Sequence, residues 1–386
     1  MENHQRIYLD HAATTPLCPE ARDAMIRCMT EIPGNASGVY QTAREAKRYL
    51  EQARSEVARI LHAFPDEIYF TSGGSESDNW ALKGITFRSK PGSHIVTSAI
   101  EHPAILNTCR FLEMQGFAVS YVEPDHEGFI HPEDVRNAIR PETVLVSVMW
   151  ANNEIGTIQP VSQIAEASHE AGVLFHTDAV QAAGSLPIDV HRDGIGLLSL
   201  SAHKFYGPKG IGVLYIRRGI AIEPLIHGGE QERGLRASTE NVCSAVGLAA
   251  ALRSTEQHQA EESTRLSSLR DQLLHELKEA LPDIIVNGSM TSRLPGNLHL
   301  TIPGVDDKAL IPLLDINGIE ASAGSACTAG SYVESHVLKA IGVPAELLRG
   351  SLRLTLGRDS REEDINEAAR SIVQTVKSLR NNHRYV

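Results

Sequence analysis

The sequence lacks several features that would assign it to a common class of protein. It has no run of about 18 apolar residues, so we predict no transmembrane helix and no membrane partner. Among its five cysteines and 17 histidines there is no Cys-x-x-Cys pair and no His-Glu-x-x-His pattern, so no metal site or disulfide framework is predicted. Residues 1–6 carry no apolar signal-peptide core, which favours a cytoplasmic location.

Positive charge is also scarce. The chain has 36 Lys and Arg residues against 48 Asp and Glu residues, a formal net charge of −12 that argues against general nucleic-acid binding. Its hydrophobic content of 42% and charged content of 22% are ordinary for a globular protein. A length of 386 residues suits one large and one smaller domain.

Short apolar runs alternate with helical periodicity between residues 67 and 200, which predicts an α/β fold with a mainly parallel sheet covered on both faces. The predicted strands are 67–71, 94–99, 117–122, 143–150, 173–177 and 195–200. Residues 210–216 return through a tight turn, so they are predicted to form an antiparallel strand.

After Pro282 the pattern changes to short strands between helices, which predicts a smaller α+β domain. We predict a large domain over 15–258 and a small domain made of 1–14 and 259–386, with a glycine-rich loop at about 321–335. Two helices are predicted, at 241–255 and 260–280, and the second is predicted to connect the two domains.

One stretch concentrates chemically useful residues. The apolar run 195–200 ends in Ser201-Ala202-His203-Lys204 and is followed by a Gly-Pro turn. The pattern predicts that the Lys204 amine lies at the carboxyl end of a strand, where open α/β sheets bind their ligands. A lysine there can form a Schiff base with the aldehyde of pyridoxal phosphate, although a lone loop lysine is more often a plain surface residue.

Polar residues also follow three other predicted strands. The clusters are Glu101-His102, Asn152-Asn153-Glu154 and Asp178-Ala179-Val180-Gln181. Because the carboxyl ends of parallel strands meet at one edge of a sheet, we expect these clusters to converge on Lys204. Each cluster alone is compatible with a structural role, but four of them at strand ends favour a shared site.

The residue types in these clusters match pyridoxal phosphate. Asp178 can keep the pyridine nitrogen protonated, His102 can stack on the ring, and Gln181 can hydrogen-bond its phenolic oxygen. The glycine-rich turn 72–75 precedes a predicted helix, whose free N–H groups and dipole attract anions, although such a turn is often a plain helix cap. The predicted phosphate ligands are Gly74, Ser75, Ser201 and His203.

Further motifs extend this pattern along nearly the whole chain: Leu9-Asp10-His11-Ala12-Ala13-Thr14-Thr15-Pro16, Phe70-Thr71-Ser72-Gly73-Gly74-Ser75-Glu76-Ser77-Asp78-Asn79, Gly324-Ser325-Ala326-Cys327-Thr328 and Leu354-Thr355-Leu356-Gly357-Arg358. With them the chain resembles the pyridoxal-phosphate-dependent cysteine desulfurases of the NifS and IscS kind, within the class V aminotransferases. The resemblance implies a transferase of fold type I that takes sulfur from L-cysteine and releases L-alanine.

The resemblance also implies roles for individual residues. Cys327, in a loop of small residues, attacks the substrate sulfur and carries it as a persulfide to an acceptor protein, such as an iron–sulfur scaffold. Arg353 and Asn153 bind the substrate carboxylate, and His102 assists proton transfer. Thr239 reaches the phosphate of the other subunit of a homodimer. The other cysteines are interpreted as structural: Cys18, Cys28, Cys109 and Cys243.

The chain departs from the family pattern in three places, of which the first is a small change and the other two affect loop geometry near the mouth of the site. They are Ala202 in place of a glycine, the stretch Ala36-Ser37-Gly38-Val39-Tyr40, and Glu230 in place of a glycine. The interval of 26 positions from Cys327 to Arg353 resembles the subtype with the longer cysteine loop rather than the SufS-like subtype. Two other functions remain open at this point: a class V aminotransferase, which would not need Cys327, and a non-catalytic scaffold that binds a partner.

Overall fold

The computed structural model describes residues 6–324 and 334–382. The strands are β1 (Ile7–Tyr8), β2 (Ile68–Thr71), β3 (His94–Ser98), β4 (Ala118–Val122), β5 (Thr143–Ser147), β6 (Leu174–Asp178), β7 (Leu197–Ser201), β8 (Gly212–Ile216), β9 (Ile285–Val286), β10 (Asn297–Thr301), β11 (Ile319–Glu320) and β12 (Ser351–Thr355). The helices are α1 (Pro19–Glu31), α2 (Gln41–Leu61), α3 (Gly74–Thr86), α4 (Pro103–Met114), α5 (Pro132–Ala138), α6 (Val161–Glu170), α7 (Val242–Ala280), α8 (Asp307–Ile316), α9 (His336–Ala340) and α10 (Glu362–Asn382). Within this described part of the chain, no helix has both the length and the apolar character to cross a membrane.

The central sheet has seven strands in the order β2-β8-β7-β6-β5-β3-β4. The pairs β3–β4, β3–β5, β5–β6 and β6–β7 are parallel, whereas β8 is antiparallel to both of its neighbours. The predicted α/β fold and the antiparallel return of residues 210–216 are therefore confirmed. Because most strands run in one direction, their carboxyl ends share one edge of the sheet.

Both faces of this sheet are covered, which explains why its strands are nearly continuous apolar runs. One core lies between the sheet and helices α1, α2, α6 and α7, and includes Val146, Phe175 and Leu198. A second core lies on the other face under α3 and α4, and includes Trp80, Ile95 and Leu145. The sheet is thus held rigidly on both sides, and its edge provides a fixed platform for a site.

A smaller unit packs a three-stranded antiparallel sheet, β12-β10-β9, and the parallel pair β1-β11 around a core of their own. Strand β12 is absent from the sequence prediction. Its side chains are all buried, and Arg353 sits among leucines, so the usual alternation of an exposed strand is missing. The first strand, β1, belongs to this unit although it opens the chain.

Helix α7 differs from the prediction of two helices. It is one continuous helix of 39 residues, from Val242 to Ala280. The segment 256–259 is polar, which suggested a break, but it contains no proline or glycine and its residues accept helical geometry. The helix passes through the predicted domain boundary at 258/259, and that boundary stays a prediction.

Candidate active site

The carboxyl ends of the central strands open into a cavity of about 690 Å³. The sequence-predicted residues in its wall are Gly74, Ser75, His102, Asn153, Asp178, Gln181, Ser201, His203, Lys204 and Arg353. They lie at the carboxyl ends of β6 and β7 or in the segments that follow β2, β3, β5, β6 and β7, except for Arg353, which comes from the small sheet. The structure therefore brings together residues that are up to 279 positions apart, from Gly74 to Arg353.

Lys204 ends a single helical turn, Ala202–Lys204, directly after β7. Its ammonium group donates hydrogen bonds to the backbone carbonyls of Ala12 and Ala13, the latter at 2.8 Å. Gln181 donates to the same carbonyl of Ala12 at 3.0 Å. The segment after β1 thus lies against the lysine amine and fixes its direction within the cavity.

A turn rich in free N–H groups lies at another part of the wall. Helix α3 begins at Gly74, two residues earlier than predicted, so the N–H groups of the turn 73–75 are free of the helix ladder. A Cβ atom on Gly74 would lie 2.7 Å from Val180 Cγ2, so only glycine leaves the backbone accessible here. Ser75, Ser201 and His203 border the same opening, which gives an anion such as a phosphate both N–H and side-chain donors.

Two carboxyl groups and an imidazole line the same cavity as Lys204. Ligand-type atoms of Asp78, His102 and Asp178 are within 4.8 Å of one another. Asp178 accepts a hydrogen bond of 2.9 Å from the Val180 N–H group, and His102 Nδ1 accepts one of 3.1 Å from the Ala104 N–H group. A group of acids around an imidazole suits a cationic guest, such as a protonated ring nitrogen.

Burial lowers the pKa of His102, and Lys204 and His336 add to this effect while Asp178 opposes it. His102 is therefore neutral near pH 7. Because Nδ1 already accepts a hydrogen bond, the neutral ring carries its proton on Nε2. Burial also raises the pKa of Asp178, and His102, the Val180 N–H group and Lys204 oppose that change.

Arg353 is 2% exposed and crosses from β12 into the cavity wall. Its guanidinium group donates to Asp10 Oδ1 at 2.8 Å and to the backbone carbonyls of Asn153 and Gly324, each at 3.0 Å. Its Nε atom is buried and has no hydrogen-bond partner among the residues that the structure describes. A buried guanidinium with an unused donor is suited to bind a carboxylate.

One predicted residue, Thr239, lies outside this cavity. Thr239 lines a separate surface groove together with Ser72, Gly210 and Arg236. Cys327 lies outside the described residues. The residues on either side of the undescribed segment 325–333, Gly324 and Glu334, both line the cavity.

The sequence reasoning missed several polar residues of the site. Asp78 belongs to the buried stripe of α3, where it shares a face with Gly74, Ser77, Ala81 and Leu82. A carboxylate in such a stripe is a signal that the sequence alone provides. Two other contacts depend on the tertiary structure: the Ser335 hydroxyl donates to Glu154 at 2.6 Å, and Asp10 pairs with Arg353.

The donor set fits pyridoxal phosphate. An amine for its aldehyde, an anion-binding turn without room for a Cβ atom, and an acid beside the place of the ring nitrogen all face one cavity. The amide of Gln181 and the imidazole of His102 lie in the same wall. The assignment of each residue to a part of the cofactor stays a prediction.

Comparison with known proteins places the chain among related sequences. The profile of the family "Aminotransferase class-V" matches residues 7–367. A cysteine desulfurase IscS from Clostridium botulinum is 48% identical over 380 residues, which covers 98% of this chain and 96% of that enzyme. A cysteine desulfurase IscS from Methanosarcina thermophila is also 48% identical, over 98% of this chain and 94% of that enzyme.

Solved structures agree with the sequences. A NifS-like protein superposes with a TM-score of 0.91 at 36% identity, covering 97% of this chain and all of that one. The structure described as SspA in complex with cysteine has a TM-score of 0.80 at 38% identity, covering 90% of this chain and 98% of that one.

Proposed function

The chain belongs to the Aminotransferase class-V family and is a cysteine desulfurase, and we propose that it acts on L-cysteine with pyridoxal phosphate bound at Lys204. One observation carries the mechanism. Lys204, Asp178 and Arg353 line a single cavity, and so do the two residues that flank the segment containing Cys327. The name of one structural neighbour records cysteine as its ligand, which supports the same substrate here.

When bound, the cofactor holds the substrate covalently and withdraws electrons from its Cα atom. Lys204 then acts as the base that takes the Cα proton, and Asp178 keeps a proton on the ring nitrogen. Arg353 binds the substrate carboxylate, with Asn153 beside it in the cavity wall. His102, neutral near pH 7 with its proton on Nε2, assists proton transfer at the substrate sulfur by donating from Nε2.

The sulfur step uses Cys327 as the nucleophile. Its thiolate attacks the sulfur of the bound substrate, so that an S–S bond forms as the substrate C–S bond breaks. The electron pair of the broken bond stays on carbon, which takes up a proton and becomes the methyl group of L-alanine. Cys327 is left as a persulfide, which passes to a thiol of an acceptor protein. The thiols in this sequence persist in a reducing compartment, so the proposed location is the cytoplasm.

The proposed assembly is a homodimer in which Thr239 reaches the phosphate site of the partner subunit. Thr239 lies in a surface groove outside the cavity of its own chain. The loop beside this groove, tied to it by Ser37 and Glu240 at 3.3 Å, presents Val39 with 88% exposure and Tyr40 with 56%. Large exposed apolar side chains next to a site-forming groove are typical of a surface that another subunit covers.

The experiment that tests the function replaces Cys327 by serine. Cofactor binding depends on the cavity residues, so Cys327→Ser binds pyridoxal phosphate and still changes colour when L-cysteine is added. Sulfide release in the presence of a reductant falls to background, because a hydroxyl cannot replace the thiolate. Alkylation followed by mass spectrometry places the additional sulfur of the wild type on Cys327.

Cys243→Ser is the matched control, since Cys243 is partly exposed and lies far from the cavity wall in α7. It keeps full sulfide release. If Cys327→Ser instead produces alanine and sulfide at the wild-type rate, the nucleophile is assigned wrongly and an activity of the aminotransferase kind gains support. A chain that does not take up pyridoxal phosphate would refute the cofactor.

A further inference from the structure

Asp78 is a buried acid that the mechanism above does not use. It lies on the face of α3 that packs against the sheet, it is 1% exposed, and it borders the cavity. Within the described part of the chain, its Oδ1 atom has no hydrogen-bond partner. An ionised carboxylate that is buried without a hydrogen-bond partner destabilises the fold. Asp78 therefore needs either a neutralising partner or a proton.

The nearest imidazole does not neutralise Asp78. His176 Nε2 lies 3.9 Å from Asp78 Oδ1. Both ring nitrogens of His176 already face hydroxyl groups, Ser147 at 2.8 Å and Ser199 at 3.0 Å. Burial lowers the pKa of His176 to about 3, so the ring is neutral near pH 7. It therefore gives Asp78 no positive charge.

Asp178 is the other acid of this part of the cavity, and the two carboxyl groups lie within 4.8 Å of each other. Two ionised carboxylates this close in a buried place repel each other strongly, so one of them retains a proton. The titratable groups around them come from three neighbouring segments: Glu101 and His102 before α4, His176 in β6, and Lys204 after β7.

The surroundings decide which acid is protonated. At Asp178, His102, the Val180 N–H group and Lys204 all favour the ionised form and oppose burial in setting the pKa. At Asp78, burial, Asp178 and Glu101 all raise the pKa, and only the Ser199 hydroxyl opposes them. The proton is therefore held more firmly by Asp78.

We propose that Asp78 and Asp178 share one proton, that Asp78 is its holder, and that Asp78 is a positioning residue which confines the negative charge to Asp178. This rests on the proposed function in one respect, since the ring nitrogen that Asp178 faces belongs to the proposed cofactor. A single negative charge there matches a single protonated nitrogen, and a second buried charge would have no partner.

Infrared spectroscopy of the holoenzyme tests the proposal directly. A protonated carboxylic acid has a carbonyl stretching band that an ionised carboxylate lacks. Labelling the aspartate carboxyl carbons with ¹³C shifts this band for aspartate and leaves any band from Glu101 unmoved. We expect the wild type at neutral pH to show a labelled aspartic-acid band, and Asp78→Asn to lose it.

Asp307→Asn is the matched control, because Asp307 is a buried acid outside the cavity, and burial raises its pKa to about 6. It keeps the band at neutral pH. The proposal is overturned if the labelled wild type shows no such band, a result that needs no variant to fold, or if the band survives in Asp78→Asn. If the wild type released no sulfide, the proposed function would be wrong. The infrared band of the wild type would still report whether Asp78 is protonated.

Discussion

At the scale of single residues, burial sets the charge of several groups around the cavity. Glu101 is fully buried beside His102, and one of its carboxylate oxygens has no hydrogen-bond partner in residues 6–324 and 334–382. Burial raises the pKa of Glu101 to about 8, even though Ser98 and the Met149 N–H group donate hydrogen bonds to the other oxygen. The folded protein therefore keeps a proton that the unfolded chain releases near its usual pKa of 4.5.

This difference makes stability depend on pH. Between about pH 4.5 and pH 8 the folded state holds one proton more than the unfolded state, so stability falls as pH rises, by about 1.4 kcal/mol per pH unit from this residue. Glu101→Gln cannot ionise, so its urea unfolding midpoint declines less steeply over that range than the midpoint of the wild type. Glu142→Gln, at an exposed site, keeps the wild-type slope. Parallel slopes for Glu101→Gln and the wild type would show that Glu101 is ionised in the folded protein.

Individual functional residues were predictable where a motif carried them. Lys204, His102, Asp178 and Gln181 each follow a predicted strand, and that position alone directs them to one edge of the sheet. Neither Glu101 nor Asp78 was predicted as a buried acid. The apolar stripe of α3 offered a signal for Asp78 that went unused, whereas nothing in the sequence around Glu101 shows how its surroundings shield it from water. The pairing of Asp10 with Arg353 joins the two ends of the chain, and no local pattern can reveal it.

At the scale of elements, the apolar runs predicted the central strands to within a few residues, because burial on both faces leaves a continuous signal. The apolar pattern did not predict two features whose structure depends on tertiary packing. Residues 256–259 continue α7 since the helix packs against two cores, and β12 escaped detection since all its side chains are inside.

One contact between elements shapes the anion-binding turn. Gly212 in β8 lies under Gly73, and a Cβ atom at Gly212 would come within 2.6 Å of Gly73 Cα and 2.5 Å of the Leu200 carbonyl oxygen. Gly212→Ala is expected to push the turn away from its position at a cost of about 1–3 kcal/mol. The dissociation constant of pyridoxal phosphate, measured by titration of the apoenzyme, then rises about tenfold or more.

Gly84→Ala separates this effect from a general loss of stability. Gly84 lies in the same helix, α3, and a Cβ atom there would come within 2.3 Å of Ile222 and 2.9 Å of the Glu223 carbonyl oxygen, well away from the turn. It lowers the unfolding temperature and leaves cofactor affinity unchanged. Equal losses of affinity in both variants would mean that the turn is not held by β8.

At the scale of the whole molecule, the proposed dimer should depend on the apolar loop near Thr239. Val39→Asp places a charge where the partner subunit is expected to bury an apolar side chain, and an unpaired buried charge is costly. Sedimentation should show a dimer weakened about tenfold or more. Met114→Asp, at a residue with 77% exposure at the end of α4, is the control and leaves the dimer intact.

Val39→Asp and Met114→Asp are expected to differ in their affinity for the cofactor. If the partner's loop completes the phosphate site, Val39→Asp also binds pyridoxal phosphate more weakly at low protein concentration, whereas Met114→Asp does not. A monomer that binds the cofactor as tightly as the wild type would contradict the shared site.

Strand β1 lies near the amino terminus, and its partner β11 is more than 300 residues further along the chain. The ribosome therefore makes β1 long before the strand with which it pairs. Ile7 pairs with Ile319, and the carbonyls of Ala12 and Ala13 that hold the Lys204 amine follow directly after this strand. A ribosome that adds about 5–20 residues per second needs tens of seconds to reach the partner strand. Throughout that time the central sheet can assemble, but residues 12 and 13 are not yet anchored by the pairing of β1 with β11, so the Lys204 amine is held in its final direction only once the chain is nearly complete.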